Sequence, residues 1–445
     1  MRLIAAASLF AFALLPLPAA AQDPARIDTV VRADADKGEF MGAVLVVKDG
    51  EVLLDRGYGS AVLEWNIPND GDTKFRLGSV TKQFTAVAIL LLQEQGKLRL
   101  DAPIKTYLTN APAAWDKVTV HHLLTHTSGI PNFTGFPDYG MQKTLPTAHS
   151  GLIARFRDKP LACQPGEKWD YSNSGYVLLS AIVEQVSGIS YAEFVTENIF
   201  TPLGMADSGY DSHAAILPRR ATGYAPSAKG RVRADYIDMS IPQGAGGLYS
   251  TTHDLLKWHR GLYAGKLLKP ASLKAYLTPF KDNYALGVSV VQRDGATTVS
   301  HSGGIEGFNT WLGYDPDRRI TVAVLANLNG GAANRLGESL MTLARGGTVK
   351  LASERQAMPM TAAMLAPYVG TYDVSPSFGF TITAGDGHLI AQATRQDPLD
   401  LFPEKPDHFF FKAVDAQVVF TRDASGKVTS ATLFQNGREL KAVRK

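Results

Sequence analysis

Residues 81–95, TKQFTAVAILLLQEQ, are apolar on nearly every side and contain neither proline nor glycine before Gly96. A helix that is hydrophobic all round is stable only when other elements enclose it, and Gly96 is the kind of residue that closes such a helix. The chain is therefore expected to fold around this segment. At its start stand Ser79-Val80-Thr81-Lys82, and two more short motifs follow in order, Tyr171-Ser172-Asn173 and His301-Ser302-Gly303. A chain of this size carries roughly one match to each by chance, so their order and settings constrain the chemistry more than any one of them.

With 445 residues, 45% of them apolar, the chain has material for about two or three domains with real cores. The net charge of +3 is small and the basic residues are scattered. No Lys/Arg block tracks a phosphate backbone, so nucleic acid is excluded as a partner. Residues 1–21 combine Arg2, an apolar run over 3–17 and the ending Ala19-Ala20-Ala21. This pattern is a secretory signal peptide cleaved after Ala21, and it predicts a periplasmic or secreted protein. The run is shorter than the roughly 20 residues of a spanning helix and is broken by Pro16 and Pro18, so no stable membrane insertion is expected. The single cysteine, Cys163, excludes an internal disulfide and reads as a small buried apolar residue.

Residues 42–48 and 51–56 alternate like strands and are joined by Asp49-Gly50, a hairpin turn that tolerates positive φ. Residues 101–276 mix loops with helical stretches at 178–186, 191–199 and 254–263, the last opened by Thr251 and Asp254 in capping-box spacing. From residue 284 short strands return, at 286–293, 297–300, 309–314 and 320–326. A sheet assembled from both ends of a segment with helices inserted between them predicts an α+β fold with a helical lobe and a cleft. Residues 22–350 are assigned to this catalytic domain. Residues 351–363, with Pro359, read as a linker, and 364–445, punctuated by turn signals such as Gly385-Asp386-Gly387, as a small C-terminal β-barrel.

Residues i and i+3 share a helix face, so Lys82 can aim its amine at the Ser79 hydroxyl. A serine hydroxyl needs a base to become a nucleophile, and a lysine amine serves when burial lowers its pKa. At a helix N-terminus the backbone N–H of Ser79 is free for a developing oxyanion. Tyr171 adds a phenol and Asn173 an amide that can hold a substrate carbonyl. His301 is expected at the end of a strand, where Gly303-Gly304 allow close approach of a substrate. His122 and His126 have the helical spacing of two zinc ligands but enclose no glutamate, and no metal site is expected. Gly246 and Gly247 fit either a cleft wall or a tight turn.

The segments Leu77-Gly-Ser-Val-Thr-Lys-Gln-Phe-Thr85, Leu123-Leu-Thr-His-Thr-Ser-Gly-Ile130, Tyr171-Ser-Asn-Ser-Gly-Tyr176, Gly244-Ala-Gly-Gly-Leu248 and His301-Ser-Gly-Gly304 resemble the penicillin-recognising serine hydrolases. That group holds class C β-lactamases, DD-peptidases, D-aminopeptidases and related esterases. The resemblance implies a β-lactamase/transpeptidase-like antiparallel sheet with flanking helices, and for the C-terminal part a lipocalin-like β-domain. It implies Ser79 as acylated nucleophile, Lys82 and Tyr171 as the proton-handling pair, and Asn173, His301, Ser302, Gly303 and Gly304 as substrate-binding residues. The N–H groups of Ser79 and Gly304 would form the oxyanion hole, with no metal or organic cofactor and a small-molecule or peptide substrate.

True β-lactamases of this group usually carry Lys-Thr-Gly where this chain has His301-Ser302-Gly303. An unperturbed histidine is mostly neutral at pH 7, so less cationic support is expected for a Tyr171 phenolate, and His301 is expected to add pH dependence to the binding of anionic substrates. Alternatives are a penicillin-binding or sensing protein acylated with little turnover, a genuine β-lactamase, or a module whose barrel recognises peptide or lipid.

Overall fold

The computed structural model describes residues 23–435 and 438–445. The signal peptide expected at 1–21 and the sequence turn signal Asn436-Gly437 lie outside the described residues.

Strand Gly42–Lys48 sits inside a six-stranded antiparallel sheet in the order 289–293, 296–305, 308–315, 320–326, 42–48, 51–58. Its side chains alternate, and both faces are buried. Val44 and Val46 enter one core with Ile27, Val31, Leu336 and Leu340, which belong to helices Pro24–Asp36 and Ala332–Ala344. Asp34 and Arg335, 2.9 Å apart, tie those two helices together. Ala43, Leu45 and Val47 enter the opposite core, where the lobe formed by helices Thr81–Glu94, Asn173–Ser187 and Thr252–Tyr263 packs. Each such aliphatic side chain taken fully out of water contributes about 1.5–3 kcal/mol, which is why the β-strands expected from both ends of the domain meet in one sheet.

Helix Thr81–Glu94 is enclosed as its composition requires: Thr81 through Leu90 and Leu92 are all buried. Its polar side chains are satisfied individually. Gln83 accepts from Trp258 Nε1 (3.2 Å), and Thr85 donates to the Gly244 carbonyl (2.7 Å). Thr251 caps the 252–263 helix by accepting from Asp254 N (3.1 Å), but the Asp254 carboxylate does not close a capping box; it accepts from Asp207 N and Ser208 Oγ (2.8 and 2.9 Å).

Strand Ala296–Ile305 is longer than its sequence suggests and runs through the His301 motif instead of ending before it. Residues 301–305 pair on one side with 308–312 and extend beyond strand Ser289–Arg293 on the other, so one edge is open.

The C-terminal part is a closed eight-stranded barrel, with Tyr372 on its first strand paired to Arg444 on its last. Tyr372, Phe380, Leu401, Phe409 and Phe420 pack its core, with Tyr372 stacked on Phe380 at 5.5 Å. The start of the segment before it is held by ion pairs: Glu354 pairs with Arg26, while Lys350 and Arg355 both pair with Glu404. No helix among the described residues is long and apolar enough to cross a membrane.

Candidate active site

Ser79 lies on the tight turn Gly78–Val80 that leads into helix Thr81–Glu94. Gly78 has φ +52, and a Cβ there would stand 2.8 Å from Gly304 N, so the turn needs glycine twice over. The turn is fixed from two sides. Leu77 N donates to Leu248 O (2.8 Å), and Thr310 Oγ1 donates to Leu77 O (2.7 Å). A Cβ on Gly303 would fall 2.0 Å from Leu77 O. Gly303 therefore serves the approach of strand to turn and not, as expected from sequence, the approach of a substrate.

The three groups read from the motifs converge. Lys82 Nζ is 3.0 Å from Ser79 Oγ, and the Tyr171 hydroxyl donates to the same oxygen at 2.9 Å. Lys82 is completely buried, and its Nζ also lies 2.8 Å from Asn173 Oδ1 and 2.9 Å from the Ala245 carbonyl. Burial drives its pKa well below the ordinary lysine value. The ring faces of Tyr171 and Tyr176, 4.8 and 5.4 Å from Nζ, return part of that cost to the charged form but supply no counter-charge. Burial pushes the Tyr171 phenol up, against the smaller effect of its bond to Ser79. Burial thus favours the neutral phenol over a resting Tyr171 phenolate.

Sequence reasoning missed how Tyr171 is held. His126, with φ +55, accepts from Asp170 N through its carbonyl (2.7 Å) and from Ser172 N through Nδ1 (3.2 Å). It thereby clasps the residues on either side of Tyr171, and its ring lies 4.2 Å from the phenol ring. His122 points elsewhere, accepting from Thr119 N at the start of its helix (3.2 Å), so the two histidines do not share a site. The Leu123–Ile130 segment carries the family pattern, but in sequence its histidine reads only as half of a zinc pair and, that being rejected, receives no role.

Asn173 begins helix Asn173–Ser187; its Nδ2 donates to Thr134 Oγ1 (3.2 Å), and its N donates to Asn132 Oδ1 (3.1 Å). One amide hydrogen remains for a ligand. His301 is buried, with its Nδ1–H donating to Ser302 O (2.6 Å) and its Nε2 accepting from the Tyr284 hydroxyl (2.9 Å). Burial, helped by Lys82, lowers its pKa to about 3. This enclosure argues against the expectation that His301 titrates with anionic substrates. We predict that His301→Gln leaves the kcat/KM profile between about pH 5 and 8 with an unchanged midpoint, and a midpoint moved by this substitution would contradict the assignment. Ser302 projects from the opposite face of the strand to His301 and Gly303 and is exposed.

A cavity of about 470 Å³ opens above Ser79, walled by Phe133, Tyr139, Ile237, Ala245, Gly304 and Glu306 among others. Of the expected residues, Ser79, Asn173 and Gly304 line it; Lys82, Tyr171, His301, Ser302 and Gly303 do not. Gly246 lines it too, while a Cβ on Gly247 would press on Tyr210 at 2.5 Å, so the two glycines divide the alternatives between them. Cys163 is half-buried, and burial raises its thiol pKa, so it is a poor nucleophile.

Residues 27–345 match the Beta-lactamase family model, and 354–444 match a Domain of unknown function (DUF3471) that coincides with the barrel. Penicillin-binding protein 4* of Bacillus subtilis is 29% identical over 94% of this chain and 98% of its own. Among solved structures, the octameric penicillin-binding protein homologue of Pyrococcus abyssi is 26% identical with a TM-score of 0.70, covering 95% of this chain and 100% of its own. A D-stereospecific amidohydrolase from Streptomyces sp. is 25% identical with a TM-score of 0.62, over 74% of this chain and 100% of its own. A model matched over most of the length, together with a likeness to a penicillin-binding protein that runs nearly end to end, places this chain in the beta-lactamase family of serine hydrolases, among the penicillin-binding-protein homologues.

Proposed function

We propose that this chain is an exported serine hydrolase that cleaves an ester, amide or D-amino-acid peptide bond through an acyl-enzyme at Ser79. The arrangement around Lys82 Nζ carries the reading. A neutral amine has two hydrogens and one lone pair, and Nζ faces two carbonyl oxygens, Asn173 Oδ1 and Ala245 O, and one hydroxyl, Ser79 Oγ, all within 3.0 Å. The carbonyls take the hydrogens, which leaves the lone pair for the Ser79 proton.

Ser79 Oγ attacks the substrate carbonyl carbon as its proton passes to Lys82. The negative oxygen is received by the N–H groups of Ser79 and Gly304. The Tyr171 hydroxyl, already on Ser79 Oγ, relays a proton from Lys82 to the leaving group, and the C–N or C–O bond breaks. Water then attacks the acyl carbon as its proton passes through Tyr171 to Lys82; the C–Oγ bond breaks, Lys82 returns that proton to Ser79 Oγ, and the carboxylic acid leaves.

The relatives' names, penicillin-binding proteins and a D-stereospecific amidohydrolase, support a substrate with an acyl carbon next to an amide. With a neutral histidine at 301, a substrate carboxylate meets no fixed cation there, so β-lactams rank below neutral esters and amides. A fluorophosphonate probe followed by peptide mapping tests the nucleophile. The adduct is expected on Ser79, and modification of another residue in its place contradicts the proposal.

A further inference from the structure

The cavity above Ser79 contains one charged side chain among its lining residues, and it is a carboxylate, Glu306. It stands at the turn immediately after strand Ala296–Ile305, two residues beyond Gly304. Its Oε1 accepts from Lys143 Nζ (2.7 Å), and its Oε2 has no partner among the described residues. Lys143 is not among the lining residues and is shared with a second carboxylate, Asp235, at 3.7 Å, so one cation faces two anions and the group keeps a net negative charge. Beside Glu306, the aromatic walls are Tyr139 and Phe133, their rings edge-to-face at 5.8 Å. Burial first, and then the field of Glu306, raise the Tyr139 phenol to about 12.

A carboxylate with free lone pairs, flanked by aromatic rings in a cavity with no cation on its wall, is the chemistry that receives an ammonium group. It repels a carboxylate in the same place. Resting on the acyl-enzyme reading of Ser79, we infer that Glu306 is a specificity-determining residue that binds a protonated amine on the acyl part of the substrate. The substrate class is then an amino-acyl amide or peptide with a free amino end.

The test compares alanine p-nitroanilide with its N-acetyl derivative, each in D and L form, on the full chain. The quantity read is the ratio of kcat/KM for the free amine to that for the acetylated compound. The wild type is expected to favour the free amine, and Glu306→Gln to lower the ratio by about tenfold or more, the size of a lost charge-assisted hydrogen bond. Lys143→Met removes the same ion pair but leaves the carboxylate, so the ratio is expected to hold or rise. An unchanged ratio in Glu306→Gln, an equal fall in both variants, or a wild-type preference for the acetylated compound overturns the inference. So does turnover of neither anilide, and a fluorophosphonate label on Ser79 then tells whether the acyl-enzyme reading survives: present, only Glu306 is misassigned; absent, both fail.

Discussion

Replacing Lys82 with methionine is expected to lower kcat/KM by about three to four orders of magnitude, the scale of a lost general base, and to abolish labelling of Ser79 on the same timescale. Methionine is unbranched and nearly as long, so it can occupy the channel beside the Tyr171 and Tyr176 rings. Asn173 Oδ1 and the Ala245 carbonyl lose their donor, costing about 1–3 kcal/mol each, offset by relief of the buried amine. The protein should stay folded, and denaturant unfolding checks this separately from rate. Lys82→Arg should be as inactive, because a guanidinium keeps its protons at any working pH. Activity near wild type in either variant would mean that another group takes the Ser79 proton.

The sign of the pH effect follows from the same burial. Lys82 has its pKa lowered in the folded chain, so kcat/KM rises as pH climbs through that lowered value and the amine sheds its proton. The unfolded chain holds that proton up to about 10.4, so this group's contribution to stability also rises with pH between the lowered value and the ordinary one.

Tyr171→Phe is expected to cost about two to three orders of magnitude in kcat/KM. The ring stays against His126, and only the hydroxyl on Ser79 Oγ is removed. Because burial holds the phenol neutral, Tyr171 relays a proton and does not set the protonation state of the site. The surviving activity should therefore keep the acid limb of the wild-type profile. Disappearance of that limb in Tyr171→Phe would make the tyrosine, and not Lys82, the titrating base.

The sequence exposed most of the scaffold, because burial leaves a periodic trace. The all-round apolar run at 81–95 became helix Thr81–Glu94, and strands Gly42–Lys48 and Ile320–Ala326 have the limits their patterns suggest. It failed where long-range contacts override local preference. Asn173-Ser174-Gly175 looks like loop, yet it is the first turn of a helix, held by Asn132 Oδ1 on Asn173 N and by the Ser174 hydroxyl donating to Pro131 O (2.6 Å). The strand expected to end before His301 continues through Gly303-Gly304 because residues 301–305 pair with 308–312, and Leu77 O leaves no room for a Cβ on Gly303.

The site divides in the same way. The convergence of Ser79, Lys82 and Tyr171 was legible because i,i+3 spacing puts the amine on the hydroxyl's helix face and the Tyr171 motif matches the family pattern. The Ala245 carbonyl, which completes the amine's surroundings, could not be found, since a backbone oxygen has no side-chain signature. His126 and Glu306 are also ordinary residues in sequence, and only the fold brings one under Tyr171 and the other into the cavity.

The most direct test is an NMR titration of the chain carrying lysine labelled with 13C at Cε, with Lys82 assigned by its absence in Lys82→Met. A Lys82 transition well below that of the other lysines is the result expected of an amine that takes the Ser79 proton. A Lys82 resonance that titrates with the surface lysines, near about 10.4, would contradict it.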